Sequence, residues 1–351
     1  MRQLEGFKKG INLGGWISQY DKYDVNHFES FIKEEDLKKI ASWGLDHVRV
    51  PVDYEVLETE DGEVKESGYK YLDNCLSWCK KYGLNMIIDL HRAYGYTFCP
   101  MDKDDKEKFF KKEKYQVRFY KLWDTISKRY ANESETIAFE LLNEVVSRNI
   151  YKEWNEIALK AISTIRANAP TSWIIFGGTD YNSVNTVALL PTIDDKKIAY
   201  TFHCYDPFMF THQGCHWVDA MPRDFRINYP ASLDEYRLKN VPDDDTKIGG
   251  LKVFAQALDN EEIKEIGPSL FEVAFKSALE VCESRQVPLY VGEYGVIDLA
   301  DKTSKINWLK DINAVFTKYN MSRAYWSYRK MNFGIEGKDH EDVIDELVKY
   351  L

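Results

Sequence analysis

The sequence predicts an α/β fold in which eight strands alternate with helices and close into a barrel. Short apolar runs rich in β-branched and aromatic residues alternate with amphipathic helical patterns along the whole chain, which indicates a parallel sheet. The 351 residues, 44% of them hydrophobic, suffice for one large core. Eight such β-then-α units predict a (β/α)8 TIM barrel. Two smaller domains are the alternative that length alone leaves open.

The predicted strands follow one another at spacings that leave room for a helix after most of them. In chain order they are Gly10–Leu13, His47–Val50, Met86–Leu90, Ile137–Leu142, Trp173–Phe176, Ile198–Phe202, Leu289–Gly292 and Arg323–Ser327. Between them, apolar residues recur at i, i+3, i+4 and i+7, as in Leu72, Cys75, Leu76 and Cys79. Gly44 and Gly83 each stand just past a predicted helix and shortly before a strand, as is typical of αβ turns.

The fifth and sixth units depart from the regular pattern. Only a short helix is predicted over Asn182–Leu190. After the sixth strand, about sixty residues precede the helix that begins near Pro268, far more than an ordinary βα loop needs. We therefore expect residues 1–351 to form a single catalytic barrel, with residues 207–267 as a subdomain inserted at its top. A helical segment is predicted near Leu251–Leu258.

Charge and composition exclude several classes of partner. The formal net charge of −10, from 57 acidic and 47 basic residues, argues against binding to nucleic acid or anionic membranes. No apolar stretch is long enough to cross a bilayer. Met1–Phe7 lacks the apolar core of a signal peptide, which indicates the cytoplasm, or secretion if the chain is a mature form. The six cysteines lack zinc-type spacing and are predicted to be buried thiols, and the protein is expected to be a monomer without cofactors.

Polar side chains stand where the predicted strands end. Two apolar runs close on a glutamate, Glu144 after the fourth strand and Glu293 after the seventh. A buried strand has no place for an unpaired carboxylate unless its end opens onto a cleft. Because the carboxyl ends of barrel strands meet at one face, these groups are expected to gather there. The other strand-end residues are Arg49, His91, Asn143, Asn182, His203, Tyr205 and Trp326.

This ordered set resembles the motifs of glycoside hydrolase family 5, the cellulase family. The family pattern is an Arg, a His, an Asn-Glu pair, a His-x-Tyr, a Glu and a Trp, each at a strand end, and every member is present here. The resemblance covers essentially the whole chain. Residues 10–19 and 210–213 are similar to a clostridial group of endoglucanases that also carry an insertion after the sixth strand.

The resemblance implies a role for each strand-end residue. Glu144 would be the general acid/base and Glu293 the nucleophile of a retaining mechanism, which requires carboxyl groups about 5 to 5.5 Å apart. Arg49 and Tyr205 would stabilise the nucleophile, and Asn143 would bind the sugar 2-hydroxyl. The remaining expectations are hydrogen bonds from His91 and His203 to the cleaved sugar and a platform under it at Trp326. The implied activity is endo-β-1,4-glucan hydrolysis, with cellulose-type and mixed-linkage β-glucans as substrates.

Aromatic residues in the loops are candidates for sugar stacking, because loops beyond strand ends line the top of a barrel. The candidates for substrate contact are Trp16, Tyr94 and Trp217, with Tyr96, Phe208 and Phe210 as further possibilities. Glu140, four residues before Glu144, is expected either to pack into the barrel or to pair with a neighbouring charge instead.

Three alternatives remain open from the sequence. The same machinery would also serve β-mannan, xylan or xyloglucan, since the catalytic residues do not discriminate among these polymers. A carbohydrate-binding barrel without activity is the non-enzymatic alternative. A metal-dependent hydrolase using His91, His203, His212 and His216 is disfavoured, because zinc ligands need tighter spacing.

Overall fold

The computed structural model describes residues 1–99, 105–219, 221–238, 263 and 265–351. Eight parallel strands form a closed barrel in the order β1-β10-β9-β6-β5-β4-β3-β2, with helices outside it. The predicted (β/α)8 barrel is therefore confirmed. The barrel strands are β1 Lys9–Asn12, β2 His47–Asp53, β3 Asn85–Arg92, β4 Ile137–Glu140, β5 Trp173–Gly177, β6 Ile198–Cys204, β9 Leu289–Tyr294 and β10 Ser322–Tyr325.

Most strands are followed by an amphipathic helix that packs its apolar stripe on the barrel. Within the described part of the chain the helices are Val25–Ser30, Glu34–Ser42, Tyr54–Leu57, Glu66–Tyr82, Lys108–Lys111, Glu113–Arg129, Tyr151–Asn168, Phe208–Thr211, Leu233–Leu238, Pro268–Arg285, Lys302–Lys318 and Ile344–Val348, with 3-10 turns at Arg148–Ile150 and Val184–Leu189. The predicted stop at Gly83 is confirmed. Its φ of 70° is left-handed and its N–H bonds to Cys79 O, which closes the helix and turns the chain into β3.

The fifth unit is short, as predicted, since a 3-10 turn at Val184–Leu189 stands where a full helix would be. Between β6 and the helix Pro268–Arg285, two short strands, β7 Ala231–Ser232 and β8 Glu265–Ile266, pair antiparallel. The predicted helical segment Leu251–Leu258 lies outside the described residues. The inserted subdomain over 207–267 stays a prediction.

The barrel interior has two layers of different composition. Near the amino ends of the strands, the N-terminal segment and inward side chains form an apolar cluster made of Leu4, Phe7, Ile87, Ala138, Trp173, Ile175, Ala199, Tyr290 and Ala324. Nearer the carboxyl ends, inward positions carry buried charged and amide groups, among them Arg49, Asp89, Glu140 and Asn12. The candidate site is built on this upper layer.

Two further expectations from the sequence concern the cysteines and membrane-spanning segments. All six cysteines are free thiols and five are buried, while Cys99 is half-buried. Among the described residues, none of the helices combines the length and apolar character that a bilayer-spanning segment needs.

Candidate active site

Glu144 and Glu293 meet at the carboxyl end of the barrel. Glu293 lies in β9, and Glu144 lies just past β4, where Leu141 N–H bonds to Ile175 O and Asn143 N–H bonds to Leu90 O. One carboxylate oxygen of each glutamate and one nitrogen of His203 all lie within 4.8 Å of one another. His203 Nδ1 is 2.8 Å from Glu144 Oε1 and 3.6 Å from Glu293 Oε2.

Arg49 is the centre of the charged layer. It is fully buried, and its Nη1 donates to Glu293 Oε1 at 2.9 Å. Its Nε and Nη2 donate to the two oxygens of Glu140 at 2.7 and 2.9 Å, so the expected internal pairing of Glu140 is confirmed. Nη2 also lies 3.1 Å from Asp89 Oδ2 and Nη1 bonds to Asn12 Oδ1 at 2.9 Å. The planar fork thus holds one oxygen of Glu293 in a fixed place.

Strand register brings these side chains together. Asn12 of β1 is opposite Arg49 of β2, and Asp89 of β3 is opposite Glu140 of β4. The register of β6 against β9 shifts just before the pair of His203 with Glu293. Such irregularities locally re-aim side chains, and this one lies at His203, which contacts both acids, and at Glu293 itself.

The electrostatic environments of the two glutamates differ. Burial raises the pKa of Glu144 well above its usual range, and the charge of Glu293 raises it further. Burial also raises the pKa of Glu293, but Arg49 and the Tyr205 hydroxyl, which donates to Glu293 Oε2 at 2.8 Å, act in the opposite direction. A proton shared by the pair therefore resides preferentially on Glu144.

His91 and Asn143 present unused polar atoms beside the acids. His91 Nδ1 lies 2.6 Å from Asp89 Oδ2, and burial lowers the pKa of His91 to about 3, so the ring is neutral. Asn143 Oδ1 accepts from Arg49 Nη2 at 2.8 Å. Within the described residues, His91 Nε2 and Asn143 Nδ2 are buried without a hydrogen-bond partner. Buried polar atoms normally have partners, so both atoms are available to a ligand.

Trp326 lies against His91 with the two rings parallel, 2° apart in plane and 5.7 Å between centroids. A glycine at position 14 permits this placement, because a Cβ there would lie 2.8 Å from the Trp326 ring. The structure therefore brings together Arg49, His91, Asn143, Glu144, His203, Tyr205, Glu293 and Trp326, the ordered strand-end set.

Asn182 is buried at the same end of the barrel, but its amide belongs to a turn. Its Oδ1 accepts from Gly178 N–H at 3.1 Å, and its carbonyl accepts from His203 N–H at 2.8 Å. These contacts join the Asn182 backbone to that of His203 and the Asn182 side chain to the turn. Its expected contact with substrate stays a prediction that rests on Nδ2, which is buried and unpartnered among the described residues.

The loop aromatics fall into separate environments. Trp217 is half-buried and packs 6.2 Å from Phe333, which in turn contacts Tyr205. Tyr94 is covered on one face by the Arg118 guanidinium at 3.7 Å and also packs on Tyr54. Trp217 is thus connected to Glu293 through Phe333 and Tyr205. Tyr94 lies against the helix Glu113–Arg129 instead.

Two expectations about aromatic residues are corrected. Trp16 is only 1% exposed, its Nε1–H donates to Phe28 O at 2.7 Å, and its ring packs on Tyr71 in the outer helical layer, so it does not face the cleft. Tyr96 is 4% exposed, and its hydroxyl donates to Glu144 O at 2.5 Å and accepts from Val146 N–H at 2.9 Å. Tyr96 therefore fixes the backbone of Glu144 instead of stacking on sugar.

Three functional contacts were missed from the sequence: Asp89 on His91, Asn12 on Arg49, and Tyr96 on Glu144. For Asp89 a signal existed, because a carboxylate inside an apolar strand two residues before His91 points to the same face. For Asn12 the signal was its position near the end of the first predicted strand. The Tyr96 contact depends on a loop conformation that no local pattern indicates.

The four histidines of the disfavoured metal site do not form one cluster among the described residues. His212 Nδ1 contacts Thr211 Oγ1 at 3.0 Å and its ring stacks on Phe208 at 4.2 Å. Among the described residues, Glu144, His203 and Glu293 are the group whose ligand atoms lie close enough to hold a cation. Those atoms already hydrogen-bond within the protein, through His203 with Glu144 and through Arg49 and Tyr205 with Glu293.

A parallel barrel whose carboxyl end carries two adjacent carboxylates in unlike environments is the architecture of a barrel glycosidase. Comparison with known proteins agrees. The family model described as cellulase, glycosyl hydrolase family 5, matches residues 7–332. The chain belongs to glycoside hydrolase family 5 and is a glycosidase of the cellulase type.

Several relatives match over nearly the full length. Endoglucanase C of Acetivibrio thermocellus is 42% identical over 99% of this chain and 98% of its own. Cellodextrinase A of Ruminococcus flavefaciens is 38% identical over 94% of this chain and 88% of its own. A solved structure of Thermotoga maritima Cel5A with cellobiose has a TM-score of 0.76 at 23% identity, covering 99% and 98% of the two chains, and shares the fold.

Proposed function

We propose that this protein is a retaining endo-β-1,4-glucanase in which Glu144 is the general acid/base and Glu293 the nucleophile. The observation that carries the proposal is the asymmetric pair. Oxygens of the two carboxylates lie within 4.8 Å of each other, yet only Glu293 is bonded by Arg49 and Tyr205. That spacing suits a nucleophile and its acid, because inverting enzymes need room for a water between the carboxyl groups.

The first step follows from the protonation states. The ionised Glu293 attacks the anomeric carbon while Glu144 gives its proton to the leaving oxygen, and the glycosidic C–O bond breaks. The Tyr205 hydroxyl and Arg49 hold the attacking carboxylate. Asn143 Nδ2, His91 Nε2 and the Trp326 ring are proposed to bind the sugar that becomes attached to Glu293.

The second step reverses the roles. Glu144, now ionised, takes a proton from water, and the resulting hydroxide attacks the anomeric carbon and releases Glu293. Two inversions at the same carbon give net retention. The substrate we propose is a β-1,4-linked glucan, cellulose-type or mixed-linkage, in keeping with the names of the relatives that match over nearly the full length. Mannan, xylan and xyloglucan are the alternatives to be tested.

The central experiment measures hydrolysis of soluble cellulose derivatives, mixed-linkage β-glucan, mannan, xylan and xyloglucan by the wild type and by Glu144→Gln and Glu293→Gln. We expect the highest kcat/KM on the β-glucans, a rapid fall in viscosity, and retained anomeric configuration by NMR. Glu293→Gln should abolish turnover, and Glu144→Gln should lower kcat/KM by about 10³-fold. Glu283→Gln, exposed at the far end of the helix Pro268–Arg285, is the matched control.

Near wild-type turnover in either glutamate variant would reject the assignment. Tight oligosaccharide binding by a wild type that never hydrolyses would favour the carbohydrate-binding alternative. Dialysis against a chelator should leave kcat unchanged, because every step above uses side chains of the chain itself. Loss of activity that added Zn²⁺ restores would instead identify a metal enzyme. That the protein is a monomer stays a prediction, which size-exclusion chromatography tests.

A further inference from the structure

Tyr205 lies just past the end of β6, where the hydrogen bonds of the barrel no longer fix the chain. The last residue of β6 is Cys204, which is paired with Tyr294 of β9. Tyr205 nevertheless donates its hydroxyl to Glu293 Oε2 at 2.8 Å. A hydrogen bond weakens steeply when its donor is misplaced, so the orientation of Tyr205 must be held by contacts outside the strand.

Thr211 provides such a contact to the backbone of Tyr205. It is fully buried at the end of the short helix Phe208–Thr211. Its hydroxyl donates to Tyr205 O, and its own carbonyl accepts from Ile297 N–H at 2.9 Å. Ile297 lies on the segment that follows Glu293 and the end of β9. One threonine therefore joins the peptide group of Tyr205, which is planar and rigid, to the segment beyond the nucleophile.

The same hydroxyl also orients a ring that packs on Tyr205. Thr211 Oγ1 lies 3.0 Å from His212 Nδ1, and because its one proton is donated to Tyr205 O, His212 Nδ1–H is the donor in this second bond. Burial lowers the pKa of His212 to about 3, so the ring is neutral with its proton on Nδ1. This ring meets that of Tyr205 edge to face, with the centroids 5.0 Å apart, and Phe333 packs on both.

We propose that Thr211 is a positioning residue for the nucleophile, because it holds the Tyr205 hydroxyl on Glu293. This inference rests on the proposed function. The hydrogen bonds of the Thr211 hydroxyl go to Tyr205 and His212, so its effect on Glu293 passes through Tyr205. Without this anchor the phenol is free to turn away, and Arg49 is left as the hydrogen-bond donor to Glu293 among the described residues.

Thr211→Val tests the proposal, because valine keeps the shape of threonine and lacks the hydroxyl. On soluble β-glucan, kcat/KM should fall roughly tenfold, since the nucleophile is less well held. The acidic limb of the kcat/KM profile should move to higher pH, because a carboxylate that loses a donor is harder to ionise. Thr211→Ser keeps the hydroxyl and should leave this limb at its wild-type position. Both variants retain the other titratable groups that act on the acid pair, which are Arg49, Asp89, His91, Glu144 and His203.

A double-mutant cycle with Tyr205→Phe separates positioning from a purely structural role. Tyr205→Phe removes the hydroxyl through which Thr211 acts, so adding Thr211→Val should then lower kcat/KM by less than about twofold. Ser127→Ala is the matched control. Ser127 is also fully buried and donates its hydroxyl to a backbone carbonyl, Trp123 O, at 2.7 Å within the helix Glu113–Arg129. This control should lower the melting temperature and leave both kcat/KM and the acidic limb unchanged.

Thr211→Ala, which removes the hydroxyl without placing a methyl group against its former partners, serves the same cycle if the valine variant does not fold. An acidic limb that stays in place, a tenfold loss that persists in the Tyr205→Phe background, or a Thr211→Ser variant as impaired as Thr211→Val would each overturn the positioning role. A wild type that hydrolyses no β-glucan would instead reject the proposed function itself, which distinguishes the two failures.

Discussion

The two layers of the barrel interior are made by the same strands and have opposite chemistry. β3 contributes Ile87 to the lower layer and Asp89 to the upper one, and β4 contributes Ala138 and Glu140. Because side chains two residues apart point to the same side of a strand, each pair faces inward. One strand therefore supplies apolar packing at one end of the barrel and a carboxylate at the other.

The difference shows what each layer contributes. Apolar side chains in the lower layer gain free energy from burial without needing partners. In the upper layer, Arg49 has carboxylates of Asp89, Glu140 and Glu293 around it, and desolvating such groups offsets much of their attraction. We infer that the lower layer stabilises the fold, while the upper layer is retained for the geometry that it imposes on Glu293.

The largest effect is expected from Arg49→Met. It removes the guanidinium group that donates to both Glu140 and Glu293. The buried carboxylates are then unpaired, which costs about 3–5 kcal/mol of unfolding free energy. The pKa of Glu293 should also rise, so the nucleophile is less ionised and kcat/KM falls by orders of magnitude. Denaturant unfolding and kinetics on soluble β-glucan measure both. Arg49→Lys, which keeps the charge but not the fork, should lie between. Wild-type stability in Arg49→Met would contradict the inferred role of this layer.

Ile175→Ala probes the other layer. Ile175 is fully buried in the lower cluster, and truncation should cost about 2–5 kcal/mol through lost transfer energy and the cavity left behind. The acids are untouched, so kcat per folded molecule should equal that of the wild type at a temperature where both are folded. Urea denaturation and active-site-normalised kinetics check the two halves of the prediction. A large fall in kcat would mean that the layers are coupled.

Predictability from the sequence differed between the layers and the loops. The strands of the barrel follow from apolar runs that alternate with amphipathic helices along the sequence. The position of the strand-end acids follows as well, because all strands of a parallel barrel have their carboxyl ends on one face. Glu144, Glu293 and Arg49 could therefore be placed before any coordinates. The two roles differ through contacts such as Tyr205 on Glu293, which the resemblance to the family implied and which local pattern alone does not supply.

The loop aromatics could not be placed from the sequence, for a physical reason. Trp16 follows β1 at a point where the chain can turn toward the cleft or toward the outer helices, and its hydrogen bond to Phe28 decides for the helices. A tertiary contact, not local propensity, therefore determines which way this ring points.

The pH dependence of stability offers a finer comparison. Burial outweighs the attraction of Arg49 and raises the pKa of Asp89 and that of Glu140 each to about 7. In the unfolded chain these groups have a pKa of about 4. Between about pH 4 and 7 the folded state therefore binds more protons than the unfolded state. The unfolding free energy should therefore fall as pH rises through this window.

Glu140→Gln should flatten that fall by on the order of 1 kcal/mol or more, because a carboxyl group whose pKa is raised by folding is gone. Urea unfolding at a series of pH values measures the slope. Glu283→Gln, exposed near the end of the helix Pro268–Arg285, should keep the wild-type slope. A slope in Glu140→Gln as steep as that of the wild type would show that Glu140 stays ionised beside Arg49 throughout.

The smallest effect is expected at Tyr96, which acts on the upper layer through the backbone. Tyr96→Phe keeps the packed ring but removes a hydroxyl that bonds to Glu144 O and Val146 N–H. The loss should be about 1 kcal/mol of stability and a few-fold in kcat on cellotetraose, because Glu144 is less well positioned. The alkaline limb of the kcat/KM profile should keep its midpoint, since the carboxyl group itself loses no partner. A shifted midpoint of the alkaline limb would mean that the Tyr96 hydroxyl changes the pKa of Glu144 rather than its position.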